Sequence, residues 1–188
     1  MIAWRALVPI KQGASGKSRL ASVLPREERD ALALRMAQHV LAELESSASI
    51  AEIAILSAQR PDWWSGGWVE DRGVGLNTEL AEWRRTVGTA PVLIVHADLP
   101  LLSAGEVDRL LALAAAQGIA LATDRAGEGS NALAIADGRP FALCFGPGSR
   151  RLHAAQAPGM TVLTSPGLAT DIDTPGDLAF ARANGFAD

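Results

Sequence analysis

The chain has 188 residues, 48% of them hydrophobic, and a formal net charge of −4. Its length and apolar content suit one compact domain over residues 1–188, and its acidic balance excludes a general nucleic-acid binder. The single cysteine, Cys144, excludes an intramolecular disulfide and speaks against a zinc cluster. No apolar run approaches the ~20 residues of a membrane span and no signal-peptide layout opens the chain, so a cytoplasmic setting with no membrane partner is expected.

Residues 6–10 form an apolar, strand-like run that empties into Lys11-Gln12-Gly13-Ala14-Ser15-Gly16-Lys17-Ser18-Arg19-Leu20. Glycines let backbone N–H groups turn toward an anion, and a helix start behind them adds the positive end of its dipole. Lys11, Lys17 and Arg19 add full charges, so the loop reads as a polyphosphate seat. It is not a P-loop: the glycine required at position 11 is a lysine, and Gly13 leaves the loop too short. A solvated Gly/Ser/Lys turn is the plain alternative for this segment taken alone.

Pro25, Glu27 and Glu28 open a helix with Leu32, Met36, Val40 and Leu44 on one face. Residues 50–57 read as a strand and 59–75 as irregular. Within the latter, Trp63, Trp64 and Trp68 are expected to pack beneath a loop; the same region is the first choice for a homodimer contact. A helix is expected over 76–87. Residues 91–96 are the clearest strand, an unbroken apolar run of the kind covered on both faces. Ser103 and Glu106 form a capping box ahead of Leu110, Leu111 and Leu113, Gly118 closes that helix, and 119–123 form the next strand. Strands at 132–136 and 141–145 are expected to flank the turn Asp137-Gly138. A short helix over 149–156, a strand over 160–163, and a last helix capped by Thr174 and Pro175 and ended by Gly185 complete the chain. Such alternation predicts an α/β fold with a mostly parallel sheet.

Open parallel sheets bind ligands beyond the carboxyl ends of their strands. Asp98 follows the strand at 91–96, Asp124 follows 119–123, and Asp171 and Asp173 follow Leu168-Ala169-Thr170. Asp171 and Asp173, two apart, share a face of an extended chain. Carboxylates converging on one crevice repel unless a cation sits between them. Opposite a lysine-rich phosphate loop, Mg2+ is the simplest choice, a hard ion taking a few carboxylates plus phosphate oxygens. Taken singly, Asp98 and Asp173 are equally readable as turn and helix-start residues.

Six motifs in order carry a resemblance that spans about residues 7–178. They are Pro9-Ile10-Lys11 through Gly16-Lys17-Ser18-Arg19-Leu20; Gly75-Leu76-Asn77; Ala97-Asp98-Leu99-Pro100; Asp124-Arg125 with Gly129-Ser130-Asn131; Phe145-Gly146-Pro147-Gly148-Ser149 with His153; and Asp171-Ile172-Asp173-Thr174-Pro175. In these the chain resembles the guanylyltransferases that start the side chain of coenzyme F-420, which act on 2-phospho-L-lactate, phosphoenolpyruvate or 3-phosphoglycerate. One departure is Ser130, where threonine is expected. The resemblance implies a three-layer, Rossmann-like nucleotidyltransferase fold, like that of molybdenum-cofactor guanylyltransferases, with a mostly parallel mixed sheet. It implies transfer of GMP from GTP to a small phosphorylated carboxylate. Lys11, Gly16, Lys17, Ser18 and Arg19 would bind the GTP phosphates, Asn77 would lie near the guanine or ribose, and Lys17 and Asp98 would be catalytic. Asp98, Asp171 and Asp173 would hold Mg2+; Ser130, Gly146 and Ser149 would anchor the acceptor. His153 reads equally as an acceptor contact or a structural histidine, and His39 and His96 as structural. Two rivals remain at this stage: a molybdenum-cofactor guanylyltransferase, and a non-catalytic nucleotide-binding protein on the same fold.

Overall fold

A computed structural model of the chain describes residues 2–11 and 17–187. Seven strands form one sheet: β1 (Trp4–Pro9), β2 (Ile50–Ser57), β3 (Gly67–Glu70), β4 (Val92–Val95), β5 (Ile119–Thr123), β6 (Ser130–Ile135) and β7 (Thr161–Leu163). The strand order is β3-β2-β1-β4-β6-β5-β7. Every pairing is parallel except those of β6, which runs antiparallel to both β4 and β5. Its reversal places the beginning of β6, rather than its end, at the edge where β1, β4 and β5 finish. Ser130 and Asn131 therefore arrive beside His96, whose N–H donates to Asn131 O at 2.9 Å.

Helices cover both faces, which is why the central strands are apolar on both sides. Ala6, Val8, Leu93, Val95, Ala120, Ala122, Ala132 and Ala134 face a core shared with α1 (Arg26–Glu45) and α3 (Ala104–Gln117). The alternate residues Leu7, Ile94, Leu121, Leu133 and Ile135 face α2 (Leu76–Val87) together with Leu143 and Phe145. On β5 and β6 the α3 side is all alanine, so α3 can lie close, its Leu110, Leu111 and Ala114 filling the space. The capping box between Ser103 and Glu106 starts α3 as expected, and the same carboxylate accepts from Gly167 N at 2.9 Å.

A third cluster gathers Leu20, Leu32, Met36, Ile172, Leu178 and Ala181, joining α1 to α6 (Pro175–Ala183). Leu20 closes a single 3₁₀ turn, Ser18–Leu20, three residues after Lys17. Ile172 is fully buried between Asp171 and Asp173. Burying a side chain of that size stabilises by about 1.5–3 kcal/mol. This apolar latch therefore holds the exit of the N-terminal loop against the two aspartates.

Two expectations are corrected. First, residues 59–75 are not wholly irregular: β3 adds a parallel edge strand through Ala54–Ser57. Second, residues 141–145 form no strand, because β6 pairs with β5 instead of turning back on them. Phe141, Leu143 and Phe145 still alternate inward, but the backbone N–H groups between them go to side chains. Ala142 N donates to Gln156 Oε1 at 2.7 Å, Cys144 N to His153 Nε2 at 2.9 Å, and Phe145 N to Asn77 Oδ1 at 2.7 Å. Ahead of Asp171, where no element was expected, the chain coils into a one-turn helix, α5 (Pro166–Ala169). Of the tryptophans, Trp64 is buried with its indole N–H on Gly67 O, whereas Trp63 and Trp68 are 38% and 36% exposed.

Candidate active site

The charged centre lies at the carboxyl edge of β1 and β4. Lys17 adopts a left-handed backbone conformation (φ 52°), which aims its side chain back across the end of the sheet. Its ammonium lies 2.6 Å from Asp98 Oδ2 and 3.2 Å from Asp173 Oδ1, and its side chain is only 10% exposed. Burial alone would lower the Lys17 pKa, but the two carboxylates more than offset it and hold the group above its ordinary value. Burial would likewise raise Asp98; the neighbouring Lys17 and His96 overcome it and hold Asp98 below the usual carboxylate range. Asp171 behaves oppositely: burial, then the charge of Asp98, push it up. Asn131 Nδ2 restrains Asp171 by donating to its Oδ1 at 3.2 Å and to Leu168 O at 3.1 Å.

The three predicted carboxylates thus meet, though not as an open cage. Among the described residues no set of three His, Cys, Asp or Glu side chains is arranged to hold a metal ion. Instead the Lys17 ammonium stands between Asp98 and Asp173 as the positive charge. Asp98 Oδ1 is nevertheless buried without a hydrogen-bond partner. An orphaned carboxylate oxygen beside two further carboxylates fits a hard cation that takes one or two protein ligands and completes its shell with phosphate oxygens. Lys11, Ser18 and Arg19 are exposed, and Gly16 lies outside the described residues.

A second constellation surrounds α4 (Ser149–Gln156). Gly146 (φ 126°) and Gly148 (φ 68°) take conformations that side-chain-bearing residues rarely adopt, folding the chain sharply into the helix. Two first-turn donors are already engaged: Ser149 N bonds Gly146 O at 3.0 Å and Arg150 N bonds Glu128 O at 3.1 Å. Ser149 Oγ is buried without a partner. One turn on, and so on the same face, His153 is fully buried with its Nδ1 3.0 Å from Ser130 Oγ. The acceptor anchors expected at Ser130, Gly146 and Ser149 therefore do come together. Asn77 does not stand free for a nucleotide: its Nδ2 donates to Phe145 O at 3.0 Å and its Oδ1 accepts from Phe145 N. In this arrangement its carboxamide clasps the loop that leads to Gly146.

Asp124, expected among the strand-end carboxylates, instead turns inward on its own loop, accepting from Glu128 N and Gly129 N at 2.9 Å each, and so shapes the approach to Ser130. Two positioning residues were not singled out in advance. Asn131, which orients Asp171, carried only a place in a motif. Glu79, nearly fully buried, accepts from Arg72 N at 2.9 Å and from its guanidinium, which fixes the turn ahead of Gly75. An acidic residue on a helix face whose other members are apolar is the only sequence signal Glu79 left.

Comparison with known proteins gives the family and the fold. The family described as CofC-like guanylyl transferases matches residues 4–183. A phosphoenolpyruvate guanylyltransferase of Sphaerobacter thermophilus is 38% identical, over 92% of this chain and 89% of its own length. One from Thermomonospora curvata is 35% identical, over 98% and 85%. Among solved structures, a putative nucleotide-diphospho-sugar transferase from Desulfovibrio desulfuricans superposes with a TM-score of 0.75 at 17% identity, covering 100% of this chain and 90% of that one. A 2-C-methyl-D-erythritol 4-phosphate cytidylyltransferase from Thermus thermophilus does so with a TM-score of 0.58 at 19% identity, covering 98% of each. These likenesses establish the nucleotidyltransferase fold. No helix among the described residues is long and apolar enough to cross a membrane.

Proposed function

The chain belongs to the CofC-like guanylyl transferase family and is a nucleotidyltransferase; from that premise we propose that it transfers GMP from GTP to the phosphate of a small phosphorylated carboxylate, releasing pyrophosphate. The observation that carries the proposal is the Lys17 ammonium held between Asp98 and Asp173, with Asp98 Oδ1 left open, at the carboxyl edge of the sheet. Phosphoenolpyruvate is the acceptor we place first, because the curated relatives bear that name. 2-Phospho-L-lactate and 3-phosphoglycerate present the same carboxylate and phosphate, and a role in making coenzyme F-420 goes with any of the three.

The chemistry asks for placement and charge rather than a base. A phosphate monoester has its second pKa near 6, so it is already largely a dianion at neutral pH and can attack the α-phosphorus of GTP directly. Repulsion between anions and the charge on departing pyrophosphate are the obstacles. Lys11, Lys17 and Arg19 neutralise the triphosphate. Asn77 keeps one amide hydrogen and one lone pair beyond its clasp on Phe145, and these remain for the guanine or ribose. Ser130, Gly146 and Ser149 seat the acceptor, Ser149 through its unpartnered hydroxyl. Asp98, Asp171 and Asp173 are the residues that would hold Mg2+. When bound, the ion would act as a Lewis acid on the phosphoryl oxygens and screen their charge.

The test is incubation of the pure protein with GTP, Mg2+ and each acceptor in turn, with products identified by mass. A guanylylated product from at least one acceptor is expected, and none in EDTA. No product from any, with molybdopterin guanylylated instead, refutes the proposal; so does nucleotide binding without turnover of any acceptor.

A further inference from the structure

We infer that His153 is a positioning residue that fixes the hydroxyl of Ser130 as a hydrogen-bond donor toward the acceptor's anionic oxygen. The inference rests on the reading that Ser130 belongs to the acceptor pocket. A backbone N–H can only donate, and Cys144 N lies 2.9 Å from His153 Nε2, so Nε2 carries the lone pair. In a neutral imidazole the hydrogen must then sit on Nδ1, 3.0 Å from Ser130 Oγ. Ser130 Oγ accepts there, which leaves its own hydrogen over; among the described residues no hydrogen bond from that hydroxyl to another group is found. An imidazolium would set N–H against N–H at Cys144 and is excluded. Burial pushes the ring's pKa down to about 4, in agreement.

The ring cannot easily escape this arrangement. It is fully buried, stacked on Phe141 (centroids 5.6 Å apart, 29° between planes) and edge-on to Phe145 (5.1 Å, 72°). Rotating it by half a turn would put carbon atoms where both hydrogen bonds now lie. The same ring also ties the start of β6 to Cys144, while Asn77 fixes Phe145 next door. One side chain thus sets the direction of the Ser130 hydroxyl and, with Asn77, the height of the loop carrying Gly146. With one lone pair taken by the Nδ1–H, the hydroxyl has its own hydrogen left to offer, and that donor suits a group that can only accept, as ionised carboxylate and phosphate oxygens do.

Two measurements test this. Nitrogen-15 NMR of the substrate-free protein should show one of its three histidines neutral, with its hydrogen on Nδ1, throughout pH 6–8. In steady-state kinetics, His153→Gln keeps an acceptor for Cys144 N–H but loses the donor to Ser130. It should raise the KM for the phosphorylated carboxylate about tenfold or more, as expected for a hydrogen bond to a charged group, and leave the KM for GTP unchanged. His153→Asn, whose amide N–H can still reach Ser130, should recover most of that loss. In a Ser130→Ala background His153→Gln should add no further acceptor effect. An Nε2–H tautomer, multiplicative effects of the two substitutions, or an equal rise in the KM for GTP overturns the inference. Should His153→Gln fail to fold, the NMR result and His153→Asn still decide it. A wild-type protein that guanylylates none of the acceptors overturns both the proposed function and the acceptor role; a wrong tautomer with intact transfer overturns only the positioning role.

Discussion

Replacing His153 should change how stability depends on pH, and the sign follows from burial. The folded state holds the ring neutral, with a pKa of about 4 against an ordinary 6.5. Between those values the unfolded chain binds a proton that the folded chain refuses, so stability rises with pH there. The contribution is fully present above 6.5 and is lost as pH falls toward 4. Each pKa unit is worth about 1.36 kcal/mol, so the whole window amounts to about 3 kcal/mol, of which roughly 2.5 kcal/mol is gone at pH 4.5. His153→Gln removes that titration and leaves the other groups in place. Urea unfolding of both proteins, followed by tryptophan fluorescence between pH 7.5 and 4.5, isolates the effect as a difference. The variant begins less stable, because its contacts with Phe141 and Phe145 are poorer. The gap should then close by about 2–3 kcal/mol on acidification. Parallel stability curves would refute the claim that His153 is held neutral by burial.

Asp98→Asn, nearly isosteric, should lower turnover about a hundredfold, the scale of losing one preorganised electrostatic group, with an unchanged circular dichroism spectrum; near wild-type turnover at limiting Mg2+ would remove Asp98 from the centre. Lys17→Ala leaves Asp98, Asp171 and Asp173 facing one another without their ammonium. The substrate-free protein should melt roughly 3–6 °C lower, as a loss of about 1–2 kcal/mol implies for a chain of this size, and millimolar Mg2+ should restore it more than it raises the wild type. Stabilisation by GTP should shrink in the same variant, as calorimetry will read. Asn77→Ala leaves the N–H and C=O of Phe145 unpaired, at about 1–3 kcal/mol of stability. It should raise the acceptor KM at least as much as that for GTP; a change confined to GTP would assign Asn77 to the nucleotide instead.

Much of the architecture was legible in the chain because it is written in local periodicity. The unbroken run at 91–96, the stripe Leu32, Met36, Val40 and Leu44, and the capping residues Ser103 and Thr174 each act over a few residues, and each element appears where expected. Motif order alone carried the family and the nucleotidyltransferase fold. Periodicity misled at 141–145, where inward alternation is real but hydrogen bonding to a neighbouring strand is a matter of what lies alongside. β6 gives its ladder to β4 and β5, so Gln156, His153 and Asn77 supply the partners instead. β3 escaped notice for the converse reason: four residues at a sheet edge have too short a pattern to read, and pairing with β2 defines them. Tertiary structure also decided how the charges are disposed. That Lys17 is a buried counter-ion, not an exposed lysine, depends on a left-handed backbone angle and on Leu20 and Ile172 sharing one apolar cluster. The protonation state of His153 depends on a backbone N–H nine residues earlier in the chain and on burial. Sequence names the groups that can carry charge or hydrogen bonds; distance, burial and the direction of each donor set what they do, and those arise only when remote segments pack.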